Sequence, residues 1–130
     1  MDIEGHIVHI DFGFLLSNAP GKGVTMEQAP FKLTQEMIDV MGGLESSKFK
    51  DFRTLMAKGF MALQSHAEKI IIIVEMMLLG MSDFPCFKGG RQLIGDLKDR
   101  LFPGGRRLDQ SDCNRHVDGL IHESVNNWRT

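Results

Sequence analysis

Cysteine is scarce in this chain, and so are long apolar runs and any excess of one charge. The two cysteines, Cys86 and Cys113, stand in dissimilar contexts without CxxC spacing, which argues against a disulfide or zinc site and for reduced thiols in a cytosolic protein. A formal net charge of -2 leaves no overall basic field, so neither nucleic acid nor a purely electrostatic attraction to anionic membrane is expected. The longest apolar run, residues 70–81, carries Glu75 and falls short of the roughly 20 residues that a membrane span needs; it reads as a buried helix. Residues 1–4 open with acid and lack the basic then apolar start of a secretory signal. Gly21-Lys22-Gly23 is no phosphate-binding loop of the Walker kind, because the upstream glycine and the following hydroxyl residue are missing. Internal repeats are absent as well.

What is present fits one domain, or a piece of one, of 130 residues with ordinary apolar (42%) and charged (25%) content, expected to be soluble. The organising stretch is residues 5–13, GHIVHIDFG. Ile7, Val8 and Ile10 favour a strand, apolar on both faces and therefore covered on both, and residues 2–5 suit a turn before it. From Phe14 to Phe31 no helical or strand period appears, and Pro, Gly, Ser and Asn punctuate a long loop.

Helices are expected after the loop. Thr34 caps one through Met41, with Met37, Ile38 and Met41 inward and Gly42-Gly43 ending it. A second spans residues 47–64, with Phe49, Phe52, Leu55, Met56, Phe60 and Leu63 on its apolar face; Gly59 either weakens it or admits a close neighbour. A third runs from Ser65 or His66 to Leu79, apolar almost all round and so placed at the centre of the core. A turn-rich link around Pro85 leads to a helix over residues 91–102, stopped by Pro103-Gly104-Gly105. The last helix, residues 111–128, puts Val117, Leu120, Ile121, Val125 and Trp128 on one face.

Asp11 is the sharpest chemical candidate: a carboxylate at the end of a buried strand, followed by Phe12 and a freely turning Gly13, suits an oxygen ligand for Mg²⁺ against nucleotide phosphates. The competing reading is an aspartate that merely starts a turn. His6 and His9 point to opposite faces of a strand and suit hydrogen bonding better than a shared metal. Lys22 and Lys32 flank the loop as point charges for a lipid phosphate, or as solvated lysines. Arg106-Arg107 reads as a solvated turn, and the nine methionines as core packing.

Read together, HIDFG, the Ala29-Pro30-Phe31-Lys32-Leu33-Thr34 segment, the Met41-Gly42-Gly43 helix end and Phe84-Pro85-Cys86-Phe87-Lys88-Gly89-Gly90 resemble the carboxyl-terminal lobe of type III phosphatidylinositol 4-kinases, beta class. Phosphatidylinositol 3-kinase-like protein kinases share the first two segments and not the Pro-Cys-Phe region. The resemblance implies a mostly α (α+β) fold, a helical kinase C-lobe with a short N-terminal strand, divided into residues 1–33 (metal-binding strand and activation loop) and 34–130 (helical lobe). It implies that Asp11 binds Mg²⁺, that Ile10 packs under the adenine of ATP, and that residues 14–33 form the activation loop meeting the inositol headgroup.

The implied reaction is transfer of the ATP γ-phosphate to the 4-hydroxyl of phosphatidylinositol at a membrane surface. The implied setting is cytoplasmic and peripheral to the Golgi or another endomembrane. The family's catalytic loop, glycine-rich loop, strand lysine and hinge have no counterpart in these residues, and its terminal amphipathic helix is missing. Both ends thus read as truncated, and the chain alone is expected to be catalytically silent, to need the rest of the kinase domain, and to self-associate through uncovered apolar surface. The alternative from another class is a non-catalytic helical module that binds a protein partner.

Overall fold

The computed structural model describes residues 2–6, 8, 10, 15–18, 29–125 and 127. Five helices follow one another: α1 (Gln35–Val40), α2 (Ser47–Ser65), α3 (Ala67–Gly80), α4 (Gly90–Leu101) and α5 (Gln110–Val125). Single 3₁₀ turns occupy Leu16–Asn18, Pro85–Phe87 and Pro103–Gly105.

The caps follow the local chemistry. Thr34 stays extended and its hydroxyl accepts from the Met37 N–H, satisfying a donor that the first turn of α1 cannot. Gly42 and Gly43, both at φ 91°, then turn the chain out of α1, and the Gly43 N–H returns to the Ile38 carbonyl. Ser46 works at both helices: its hydroxyl donates to the Met41 carbonyl at 2.7 Å and accepts from the Phe49 N–H at 3.1 Å. At His66 the backbone leaves helical geometry, and α3 starts at once beyond it.

Two apolar clusters result. Leu33, Ile38, Phe49, Ala57, Cys113, Val117 and Ile121 join α1, α2 and α5. Ala67, Ile71, Phe87, Leu93, Ile94 and Leu101 join α3, α4 and the Pro85–Phe87 turn. Burying a side chain such as Phe49 or Phe87 is worth about 2–3 kcal/mol. Between the clusters lies Gln64, a buried amide. Its Nε2 donates to the Leu101 carbonyl at 2.8 Å, and its Oε1 accepts from the Leu108 N–H at 3.3 Å. On the surface Arg53 clasps Asp118 across α2 and α5 at 2.7 Å, an exposed pair worth at most about 1 kcal/mol.

Several expectations change. No strand occurs among the described residues. Of the expected strand, residues 7 and 9 lie outside them, and the backbone of residues 2–6 is spent on a local turn instead. A strand needs a partner ladder for those groups, and the described residues supply none. The third helix is not a central one. Ala67 and Ile71 are buried, while Ile72, Ile73, Met76 (67% exposed) and Leu79 (86% exposed) face outward, because only one side of α3 meets α4. Met37, Leu55 and Leu63 also face outward, each lying away from the line of contact on its helix. A Cβ at Gly59 meets nothing within 4 Å, so this glycine admits no close neighbour. Trp128 lies outside the described residues, whereas Val117 and Ile121 are buried as the α5 pattern requires.

Because Gln64 satisfies the Leu101 carbonyl and the Leu108 N–H, Gln64→Leu keeps the volume and removes the side-chain partner of both. Urea unfolding is expected to show a loss of about 2–4 kcal/mol, beyond the usual effect of a polar-to-apolar core change.

Candidate functional site

Residues 2–6 are held in a turn by Asp2. Its Oδ1 accepts from the Glu4 and His6 N–H groups, each at 2.9 Å, and its Oδ2 lies 2.8 Å from His6 Nδ1. Gly5, at φ 88°, lets the turn close with its N–H on the Asp2 carbonyl. The His6 contacts, first the ring and then the backbone N–H, hold the Asp2 carboxyl below its ordinary range. His6 is thus a hydrogen-bonding residue, and among the described residues no group of three His, Cys, Asp or Glu is arranged to hold a metal.

Asp11, Lys22 and His9 lie outside the described residues. Ile10 is described and is 78% exposed, so within this chain its side chain has almost no cover. Lys32 is exposed on the rim of an apolar surface groove of about 460 Å³ lined by Phe31, Leu33, Met37, Val40 and Phe52 among others. Its charge acts on Glu36, whose carboxyl is held low first by its own N–H at the helix start, then by the Thr34 hydroxyl and by Lys32. Glu36 lines the same groove as Lys32.

The loop after residue 14 is tied down at two described places. Leu33 enters the α1–α2–α5 cluster. Leu16 packs against the α3–α4 cluster that contains Phe87, and the turn Leu16–Asn18 lies against Pro85–Phe87. Leu16 has φ 52°, the left-handed region, which costs a branched side chain roughly 1–2 kcal/mol. The Asn18 N–H closes the turn on the Leu15 carbonyl at 3.0 Å. Sequence reasoning gave this position no role, since one leucine in an aperiodic loop carries no pattern.

Of the two thiols, Cys113 is fully buried, donates to the Ala57 carbonyl at 3.4 Å and has its pKa pushed up by burial. No helix among the described residues is long and apolar enough to cross a membrane.

Since the Asp2 carboxyl is held low in the folded turn, the turn's support from it is complete above the unfolded aspartate pKa, about 3.9. It is lost as pH falls through the lower folded value. Proton NMR is expected to show the Glu4 and His6 amides shifting together, with a midpoint below 3.8, and Asp2→Asn is expected to abolish that titration.

Comparison with known proteins places these features. The family profile described as phosphatidylinositol 3- and 4-kinase matches residues 1–84. The chain is similar along its whole length to a phosphatidylinositol 4-kinase of Dictyostelium discoideum (44% identical, 11% of that protein) and to phosphatidylinositol 4-kinase beta 2 of Arabidopsis thaliana (49%, 12% of that protein). Over 78% of the chain it is 49% identical to phosphatidylinositol 4-kinase beta of Danio rerio, covering 12% of that protein. The chain thus spans about a ninth of the length of these curated relatives. With the profile covering well over half of its residues, the chain belongs to the phosphatidylinositol 3- and 4-kinase family.

Proposed function

We propose that this chain is part of a phosphatidylinositol 4-kinase of the beta class, working with the rest of a kinase domain at a membrane surface. The observation that carries the reading is similarity over the full chain to relatives named for that activity, including residues 85–90 just past the family profile. In the reaction, the 4-hydroxyl oxygen of phosphatidylinositol attacks the γ-phosphorus of ATP. The new O–P bond forms as the bond to the β,γ-bridging oxygen breaks, and ADP leaves. The hydroxyl proton passes to a base outside these residues.

In this reading residues 1–33 supply the metal-side strand and activation loop, and 34–130 the supporting lobe. Residues 7–10 pair as a strand, and Ile10 meets adenine, once the rest of the domain covers them; the exposure of Ile10 in the chain alone fits that need. Asp11 offers a hard carboxylate oxygen of the kind Mg²⁺ prefers, and Mg²⁺, when bound, offsets charge on the β- and γ-phosphates. Lys22 and Lys32 serve as point charges for the lipid phosphate. A cytoplasmic position peripheral to the Golgi or another endomembrane follows from the same family reading. The exposed apolar face of α3 favours one second reading, a non-catalytic helical module that binds a protein partner.

The test replaces the matching region of Arabidopsis phosphatidylinositol 4-kinase beta 2 with this chain and measures lipid phosphorylation. The chimera is expected to be active, and Asp11→Ala to lower turnover on the order of a thousandfold. Retained turnover removes the role assigned to Asp11. The chain alone is expected to transfer no phosphate.

A separate expectation concerns the uncovered apolar side chains. Light scattering of the chain alone should show self-association, with binding of a hydrophobic dye, and Ile73→Glu with Met76→Glu should reduce both. A clean monomer that binds no dye would contradict it.

A further inference from the structure

A second surface groove, of about 490 Å³, runs between α3 and the end of α4, and the proposed reaction makes no use of it. Its floor is apolar: Ile71 is buried, Ile72 is 54% exposed, and Phe102 stands beside them. Its rim is acidic. Glu68 and Glu75 flank the two isoleucines on α3, seven residues and so about 10 Å apart along the axis, and Asp99 comes from α4. Against these three carboxylates the lining carries one cation, Lys98, whose Nζ lies 3.4 Å from Glu75 Oε1 on the facing helix. No ion pair among the described residues engages Glu68 or Asp99. Lys69, Arg100 and Arg106 follow lining residues in the chain but do not line the groove, and Arg106 is paired with Asp112.

An apolar trough with a negative rim repels an anionic lipid surface and suits a cation that carries apolar bulk. This chain's own helices do not offer one to a second copy. Among the described helices only α4 has two Lys or Arg residues seven apart, Arg91 and Lys98, and Ile94 between them is buried in its own core. The groove also differs from the rest of α3. Ile73, Met76 and Met77 are exposed outside it and make an apolar surface of the kind that permanent contacts cover, whereas mixed apolar and charged surface suits a reversible contact.

We propose that the α3–α4 groove is a docking site for a separate protein, which lays into it a cationic amphipathic helix with two Lys or Arg residues about two turns apart and bulky apolar residues between them. The apolar residues rest on Ile71, Ile72 and Phe102, and the cations meet the carboxylates, one of them displacing Lys98 from Glu75. Lys98 is then a built-in competitor for the partner's charge. This docking is independent of the phosphate-transfer chemistry.

The probe is a short synthetic helix of alanine and glutamine, with two arginines seven places apart and two leucines between them, followed by fluorescence anisotropy. It is expected to bind the 130-residue chain, and a peptide of the same composition with its arginines adjacent to bind about tenfold more weakly. Glu68→Gln with Asp99→Asn should weaken binding about tenfold, and so should Ile72→Asn, at an unchanged melting temperature. Lys98→Ala should strengthen it about threefold, a gain that partial unfolding cannot produce. The Arabidopsis chimera should bind the peptide as the chain does. Equal binding of the two peptides, wild-type binding by the Glu68 and Asp99 variant, or weaker binding by Lys98→Ala overturns the proposal. A chimera that excludes the peptide also overturns it, because the rest of the kinase then fills the groove. So does self-association that falls in the Glu68 and Asp99 variant, which makes a second copy the occupant, or displacement of the peptide by vesicles of phosphatidylcholine and phosphatidylserine. An inactive chimera counts against the kinase reading alone, since binding to the 130-residue chain tests the groove without it.

Discussion

The buried amide of Gln64 is the interaction on which the arrangement of helices depends. A side chain with one donor and one acceptor end reaches the last carbonyl of α4 and the N–H that leads into α5, and so ties α2 to both. Apolar packing within each cluster does not set this geometry, since the two clusters share no buried residue. Hydrophobic burial gives each half its stability, and the amide gives the halves their register. Loss of either end removes the partner of a backbone group, and where that group is buried the penalty exceeds the net gain from forming the bond.

Much of the helical half was legible because its signals are local. Thr34, Gly42-Gly43 and Pro103-Gly104-Gly105 each act within one turn, and the structure uses each as its chemistry suggests. Phe49, Val117 and Ile121 recur at helical spacing and are buried. Residues 70–79 misled for a physical reason: a helix apolar all round marks what is to be covered, and says nothing about whether this chain provides the cover. The strand expected at residues 7–10 depends on cover in the same way, since β-branched residues state a preference that only a partner ladder can satisfy, and residues 7 and 9 lie outside the described residues. Gln64 and Leu16 had no signal at all, being single residues whose roles come from contacts distant in sequence.

The candidate site divides along the same line. The motif order around HIDFG and the Pro-Cys-Phe region carried the family, which comparison then bore out over the full length of the chain. Geometry at Asp11 and Lys22 falls outside the described residues, and Lys32 finds Glu36 as a neighbouring charge. A motif identifies chemistry by type and order. It does not supply the low-dielectric roof, the base or the second ligand that the chemistry needs.

The two described ends of the long loop belong to different halves of the molecule: Leu16 sits on the α3–α4 cluster and Leu33 in the α1–α2–α5 cluster. The chain between them therefore links the two halves that Gln64 ties together, and any sliding of one half against the other changes the distance between these two tethers. Its length is thermodynamically forgiving, because doubling a flexible loop costs only about 0.6 kcal/mol. Its attachment points are not. Evolution can lengthen or shorten this connection cheaply, but moving either tether would alter the distance that it has to bridge.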